Sequence, residues 1–129
     1  MDKMSLAALE ATLRLHRDMP ERIPVRRMLA QTEAVLKERA ERLQALVGGG
    51  ALERTEAFAG GGALPEERIC SWALVLHTGI GAEAAAAFLR SGDPAVIARI
   101  NEGRLLLDML AVSDEDVEEL GAALCAVPP

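Results

Sequence analysis

Arg99 is the residue whose setting most invites a chemical role. It falls inside Val96 to Ile100, which reads as a short strand, and a charged side chain in mid-strand marks either a sheet edge or a site. Its guanidinium offers forked donors suited to a carboxylate or a phosphate, so Arg99 is the candidate for holding a substrate anion. The other reactive side chains do not combine. His16 and His77 are distant in sequence, with no third ligand and no Ser or Cys nucleophile at a known spacing. Cys70 and Cys125 form no CxxC and have no histidine at ligand spacing, so they read as reduced, buried thiols rather than zinc ligands or a disulfide framework. Gly60-Gly61-Gly62 could cradle a phosphate, but no Lys-Ser/Thr follows and Ala63-Leu64-Pro65 opens no helix; a tight turn or a close backbone approach is expected there. Thr78-Gly79-Ile80-Gly81 reads as a strand-to-helix turn. Asp114, Glu115 and Asp116, with Glu118 and Glu119, sit where a helix begins and read as solvated charge favoured by the helix dipole. No catalytic, cofactor-binding or metal-binding set is therefore expected in this chain.

The elements around Arg99 follow from periodicity and punctuation. Asp2 to Arg17 lacks Gly and Pro and reads as a helix, with Lys3, Glu10, Arg14 and Arg17 forming one thin polar stripe. Most of its circumference is apolar, so it asks for burial on two sides. Pro20 and Pro24 stop it, and Pro24 can open a short helical turn through Met28 and Leu29. Thr32 is the expected N-cap of a helix whose buried face is Leu36, Ala40, Leu43 and Val47, with Lys37, Glu38, Arg39, Glu41 and Arg42 turned mostly away. Gly48-Gly49-Gly50 ends it. Leu52 to Phe58 and Ile69 to His77 read as strands, Ala82 to Arg90 as a helix, and Val96 to Ile100 and Arg104 to Asp108 as strands joined by Asn101-Glu102-Gly103. Ser113 is the expected N-cap of a last helix through Leu124. The fold class is α+β: a small, mostly antiparallel sheet of about four strands with helices packed on one face.

Composition bounds the function. At 129 residues, 50% hydrophobic and 26% charged, the chain suits one globular domain, residues 1–129, arranged as 1–18, 24–47 and 51–129. With two Phe, one Trp and no Tyr, the core must be aliphatic and rich in alanine. A formal net charge of −6 repels a polyanion, so the domain alone is expected to be a poor nucleic-acid binder. No apolar stretch approaches the ~20 residues of a membrane span, and no signal-peptide pattern follows Met1; the expected address is cytoplasmic.

Four stretches together resemble a known family. Asp2-Lys3-Met4-Ser5-Leu6-Ala7-Ala8-Leu9-Glu10-Ala11-Thr12-Leu13 with Ile23-Pro24-Val25-Arg26-Arg27-Met28-Leu29 comes first. Gly60-Gly61-Gly62-Ala63-Leu64-Pro65, Pro94-Ala95-Val96-Ile97-Ala98-Arg99-Ile100 and Gly103-Arg104-Leu105-Leu106-Leu107-Asp108 follow, in an order and spacing that resemble the C-terminal end of the bacterial selenocysteine synthases. The resemblance implies the C-terminal small domain of a fold-type I pyridoxal-phosphate (PLP) enzyme. That enzyme converts seryl-tRNA(Sec) to selenocysteyl-tRNA(Sec) with selenophosphate, through an aminoacrylyl intermediate. It also implies that the Schiff-base lysine, the cofactor pocket and the tRNA-contacting N-terminal domain lie upstream of Met1. Lys3 and Lys37 are the only lysines and neither sits in the family's lysine motif, so no PLP is expected on this chain by itself. The expected partners are the N-terminal and large PLP domains and, through the full-length enzyme, tRNA(Sec), with no membrane.

Two other readings remain open: the small domain of a related PLP-dependent lyase acting on small amino acids, or a non-catalytic α+β dimerisation module. The excess apolar surface of Asp2 to Arg17 predicts self-association into a homo-oligomer. Light scattering at high concentration should show a species larger than the monomer, and a monodisperse monomer would contradict it.

Overall fold

A computed structural model describes residues 2–59 and 64–128. The turn expected at Gly60-Gly61-Gly62 lies outside the described residues. The chain divides into two compact units, Met1–Gln31 and Thr32–Pro129.

The first unit is helical. α1 spans Lys3–Asp18, and the Asp2 side chain caps it by accepting from the Ser5 backbone N–H and hydroxyl, both at 2.9 Å. A 3₁₀ turn at Pro20–Arg22 leads to α2, Pro24–Leu29, with Pro24 at its first position as expected. The polar stripe is real, and Glu10 and Arg14 pair along it at 2.6 Å. Yet no residue of α1 is buried: Met4 is 83% exposed, and Leu6, Leu9 and Leu13 are also open.

The second unit builds the expected α+β fold. Its elements are α3 (Glu33–Val47), β1 (Ala51–Ala59), β2 (Leu64–Leu76), α4 (Ala82–Arg90), β3 (Arg99–Asn101), β4 (Arg104–Asp108), a 3₁₀ turn at Met109–Ala111, and α5 (Val117–Cys125). The four strands form one antiparallel sheet in the order β1-β2-β4-β3. Cross-strand partners share a face, so the register sorts the side chains. Leu74 and its partner Leu107, together with Leu105, face the core, where they meet Leu36, Ala40 and Leu43 of α3, Ala85 and Leu89 of α4, and Val117, Leu120 and Leu124 of α5. With so few aromatic side chains, alanines at 40, 85 and 86 let the helices lie close to this leucine layer. The opposite face carries Glu53, Thr55, Ser71, Ala73, Arg104 and Asp108. Ala73 is buried there, as are Val75 and Leu106, and an ion pair from Arg104 of β4 to Glu53 of β1 reaches across β2.

The local signals hold where they are strongest. Thr32 caps α3, Gly48 ends it in the left-handed conformation (φ 72°), and α4 and β4 have the expected limits. Other limits shift, and β2 begins at Leu64 rather than at Ile69. The β3–β4 link is two residues long, with Asn101 paired to Arg104 and positive φ at both Glu102 (51°) and Gly103 (72°), the requirement of a tight primed turn. The last helix starts four residues beyond Ser113, with Asp116 at its N-cap position. The strand expected from Val96 starts only at Arg99, because the Val96 N–H donates to the Leu89 carbonyl at 2.9 Å and ties residues 94–98 to the end of α4.

Gly50 joins α3 to the sheet at φ 96°, where a Cβ would lie 2.7 Å from Leu76 Cδ2, 2.8 Å from Leu74 Cδ1 and 2.9 Å from the Val75 carbonyl oxygen. Gly50→Ala should lower unfolding free energy by about 2 kcal/mol or more, combining backbone strain with overpacking. Gly49→Ala, with open space around it, should be near neutral. Urea denaturation of the two variants checks the contrast.

Candidate functional site

The early end of β3 opens a cleft. The β3–β4 ladder stops at the pair Arg99 and Leu106, so Leu107 and Asp108 run on without a strand partner on that side. Residues 94–98 bend toward α4, while the chain after β4 turns toward α5. The space between them is a cleft of about 560 Å³. Its walls are apolar at Val96, Leu106, Val112 and Leu120, and its charged groups are Arg99, Asp108, Asp116 and Glu119.

Asp108 organises the polar side. It accepts from the Ser71 hydroxyl at 2.5 Å, the Thr55 hydroxyl at 2.9 Å and the Leu110 N–H at 3.1 Å. Arg99 Nη2 stands 3.8 Å from its carboxylate, an ion pair beyond hydrogen-bond length. One polar row thus joins all four strands on the face opposite the leucine layer. The Asp108 side chain is 18% exposed and already holds three donors, whereas that of Arg99 is 51% exposed. The carboxylate is satisfied by the sheet, and the half-exposed guanidinium donates no hydrogen bond to it. Arg99, expected in mid-strand, is instead the first residue of an edge strand.

The facing wall is pinned by a residue that the hydrophobic pattern hides. Arg39 of α3 is 5% exposed, and its Nη1 donates to the carbonyls of Met109 (3.0 Å) and Val112 (2.5 Å) while Nε donates to Asp114 Oδ1 at 2.8 Å. It was assigned to the solvated side of its helix, and the structure corrects that. The signal was present: position 39 lies three residues after Leu36 and four before Leu43, on the same face as both. The acidic cluster divides accordingly. Asp114 is the partner of Arg39, which holds its carboxyl below the usual range chiefly by hydrogen bonding. Glu118 pairs with Arg42, and Asp116 accepts from the Ser113 hydroxyl at 2.7 Å. Glu119 has no side-chain partner among the described residues.

The remaining candidates lie apart from the cleft. His16 is exposed on α1, and His77 is exposed just after β2. Thr78-Gly79-Ile80-Gly81 is the expected strand-to-helix turn, closed by Gly81 N–H to the Thr78 carbonyl at 3.1 Å. Both cysteines are exposed, a correction to the buried thiols expected: Cys70 sits at an outer position of β2, where Arg54 Nη2 donates to its sulfur at 3.3 Å, and Cys125 is the last residue of α5. No group of metal-ligating side chains forms among the described residues.

The residues present do not fit PLP. Lys3 is exposed on α1. The Lys37 ammonium lies 5.4 Å from the Trp72 ring centroid and 3.7 Å from Glu41, and neither lysine lines the cleft. No helix among the described residues is long and apolar enough to cross a membrane.

Comparison with known proteins adds the wider context. Residues 1–113 match the model of a family described as L-seryl-tRNA selenium transferase. Proteins named L-seryl-tRNA(Sec) selenium transferase from Salmonella typhi, Salmonella choleraesuis and Salmonella dublin are each 43% identical to this chain over 128 residues. The match covers 88% of this chain and 28% of each relative, so the chain spans well under a third of the length of the relatives it resembles.

Removing the Arg39 guanidinium takes a donor from the Val112 carbonyl and one of the two donors from the Met109 carbonyl, which keeps the Val112 N–H, so Arg39→Met should cost about 2 kcal/mol of stability or more. Asp114→Asn should cost less than about 1 kcal/mol at neutral pH, since that carboxylate is mostly exposed. The Asp114 carboxyl is held low in the folded state, so its contribution is present above the unfolded value near pH ~4 and is lost as pH falls through the lower folded value. The stability difference between Asp114→Asn and the parent chain should therefore vanish in strong acid, as denaturation curves from pH ~2 to 7 would show.

Proposed function

The chain belongs to the L-seryl-tRNA selenium transferase family, and from that premise we propose that it forms the C-terminal small domain of an enzyme that converts seryl-tRNA(Sec) to selenocysteyl-tRNA(Sec). The family match across residues 1–113 carries this reading. The selenium donor would be selenophosphate and the cofactor PLP, which would supply an electron sink in the parts of the enzyme that hold it. PLP is held by other parts of the full-length protein, in keeping with a chain whose two lysines lie away from its cleft.

The domain's share of the work is structural and recognitive. Its acidic balance suits a domain outside the main contact with the tRNA backbone. The open apolar ridge of α1 suits packing against the large domain and assembly into a cytoplasmic homo-oligomer. Within the domain, Arg99 is the residue proposed to meet a substrate anion, because its guanidinium is half-exposed and not consumed by Asp108.

The purified chain mixed with PLP should return colourless from gel filtration and should transfer no selenium to seryl-tRNA(Sec). A visible absorbance that stays with the protein would overturn the assignment of the cofactor site to other parts of the enzyme.

A further inference from the structure

We propose that the cleft beside β3 binds an amino-acid-sized zwitterion with a branched aliphatic side chain, its carboxylate on Arg99 and its ammonium against Asp116 and Glu119. The proposal rests on the reading of Arg99 as an anion contact, and adds to it the class of ligand. The first ground is shape. At about 560 Å³ the cleft is in the range of small-molecule sites, and Val96, Leu106, Val112 and Leu120 give it aliphatic walls with no aromatic surface for a planar ring to stack on. The second ground is charge. One arginine stands among three carboxylates, a net of −2, so a simple anion would add to an existing excess of negative charge. A zwitterion adds no net charge and gives each of its ends an opposite partner. A phosphate dianion or a nucleic-acid backbone is the ligand this balance disfavours most.

The third ground is the pattern of satisfied and unsatisfied groups. Asp108 holds three donors from β1, β2 and the turn after β4, so a ligand carboxylate can take Arg99 without stripping Asp108 of its partners. Glu119 has no side-chain partner among the described residues, and the Asp116 carboxylate accepts from the Ser113 hydroxyl. Acceptors for an ammonium are thus available on the α5 side, and donors for a carboxylate on the β3 side. Asp108 acts as a positioning residue, holding Arg99 at the rim by charge alone.

The test is a titration of the chain with L-leucine, L-leucinamide and N-acetyl-L-leucine, followed by NMR at the Arg99 side chain and the Glu119 backbone amide. Leucine should shift both signals. The amide, lacking the carboxylate, and the acetyl derivative, lacking the ammonium, should each bind about tenfold more weakly or less. Arg99→Met should abolish the preference for leucine over leucinamide while leaving the dispersed spectrum of the folded chain intact. If N-acetyl-L-leucine binds as well as leucine, the zwitterion is overturned and the anion contact stands. If none of the three moves the Arg99 signal, both are overturned.

Discussion

The guanidinium of Arg39 is the constraint around which the larger unit is arranged. A charge that is 95% out of solvent persists only when its donors are used, and here two go to backbone carbonyls after β4 and another to Asp114. Those acceptors belong to the segment between the sheet and α5. By tying that segment to α3, Arg39 fixes where α5 begins and how it lies against Leu36, Ala40 and Leu43. The aliphatic core would tolerate several arrangements of three short helices on a leucine sheet. A directional, buried and hydrogen-bonded side chain selects among them.

The two faces of the sheet divide the labour. One is a continuous aliphatic layer under helices, and its contribution is burial, at roughly 1.5–3 kcal/mol for each large side chain. The other carries a polar row of Thr55, Ser71, Asp108 and Arg99, with the Arg104–Glu53 pair beside it, alongside the buried Ala73, Val75 and Leu106. Such a row adds little stability over apolar residues of similar size, and its geometry matters more than its energy. It terminates at the point where β3 gives out and the cleft begins, which puts a hydrogen-bonded polar row beside that cavity.

The sequence was most legible where a single residue type dictates a backbone state. Thr32, Gly48, Pro24 and the glycine of the β3–β4 turn each have a local physical meaning, and each stands as read. It was least legible where a tertiary partner overrides a local preference. Arg39 looked solvated because charge is a stronger surface cue than spacing, and only the carbonyls of a segment seventy residues away make its burial tolerable. Ser113 looked like a cap, but its hydroxyl donates to Asp116. Val96 and Ile97 have the composition of a strand, yet one hydrogen bond to the end of α4 withholds them from the sheet. The cleft follows from that exclusion, so no motif could announce it. Arg99 was noticed, but the neighbours that give it meaning come from β4 and α5.

The brevity of β3 has a dynamic consequence. Three ladder pairs at a sheet edge, followed by a two-residue turn, leave β3 less anchored than β2, which is bonded on both sides and buried at its centre. Local opening free energies follow such differences, so the amides of residues 99–101 exchange with solvent far faster than those of 73–75. The rim that carries Arg99 can therefore detach and reseat without the leucine layer coming apart. The cleft has one wall that breathes and one, held by Arg39, that does not.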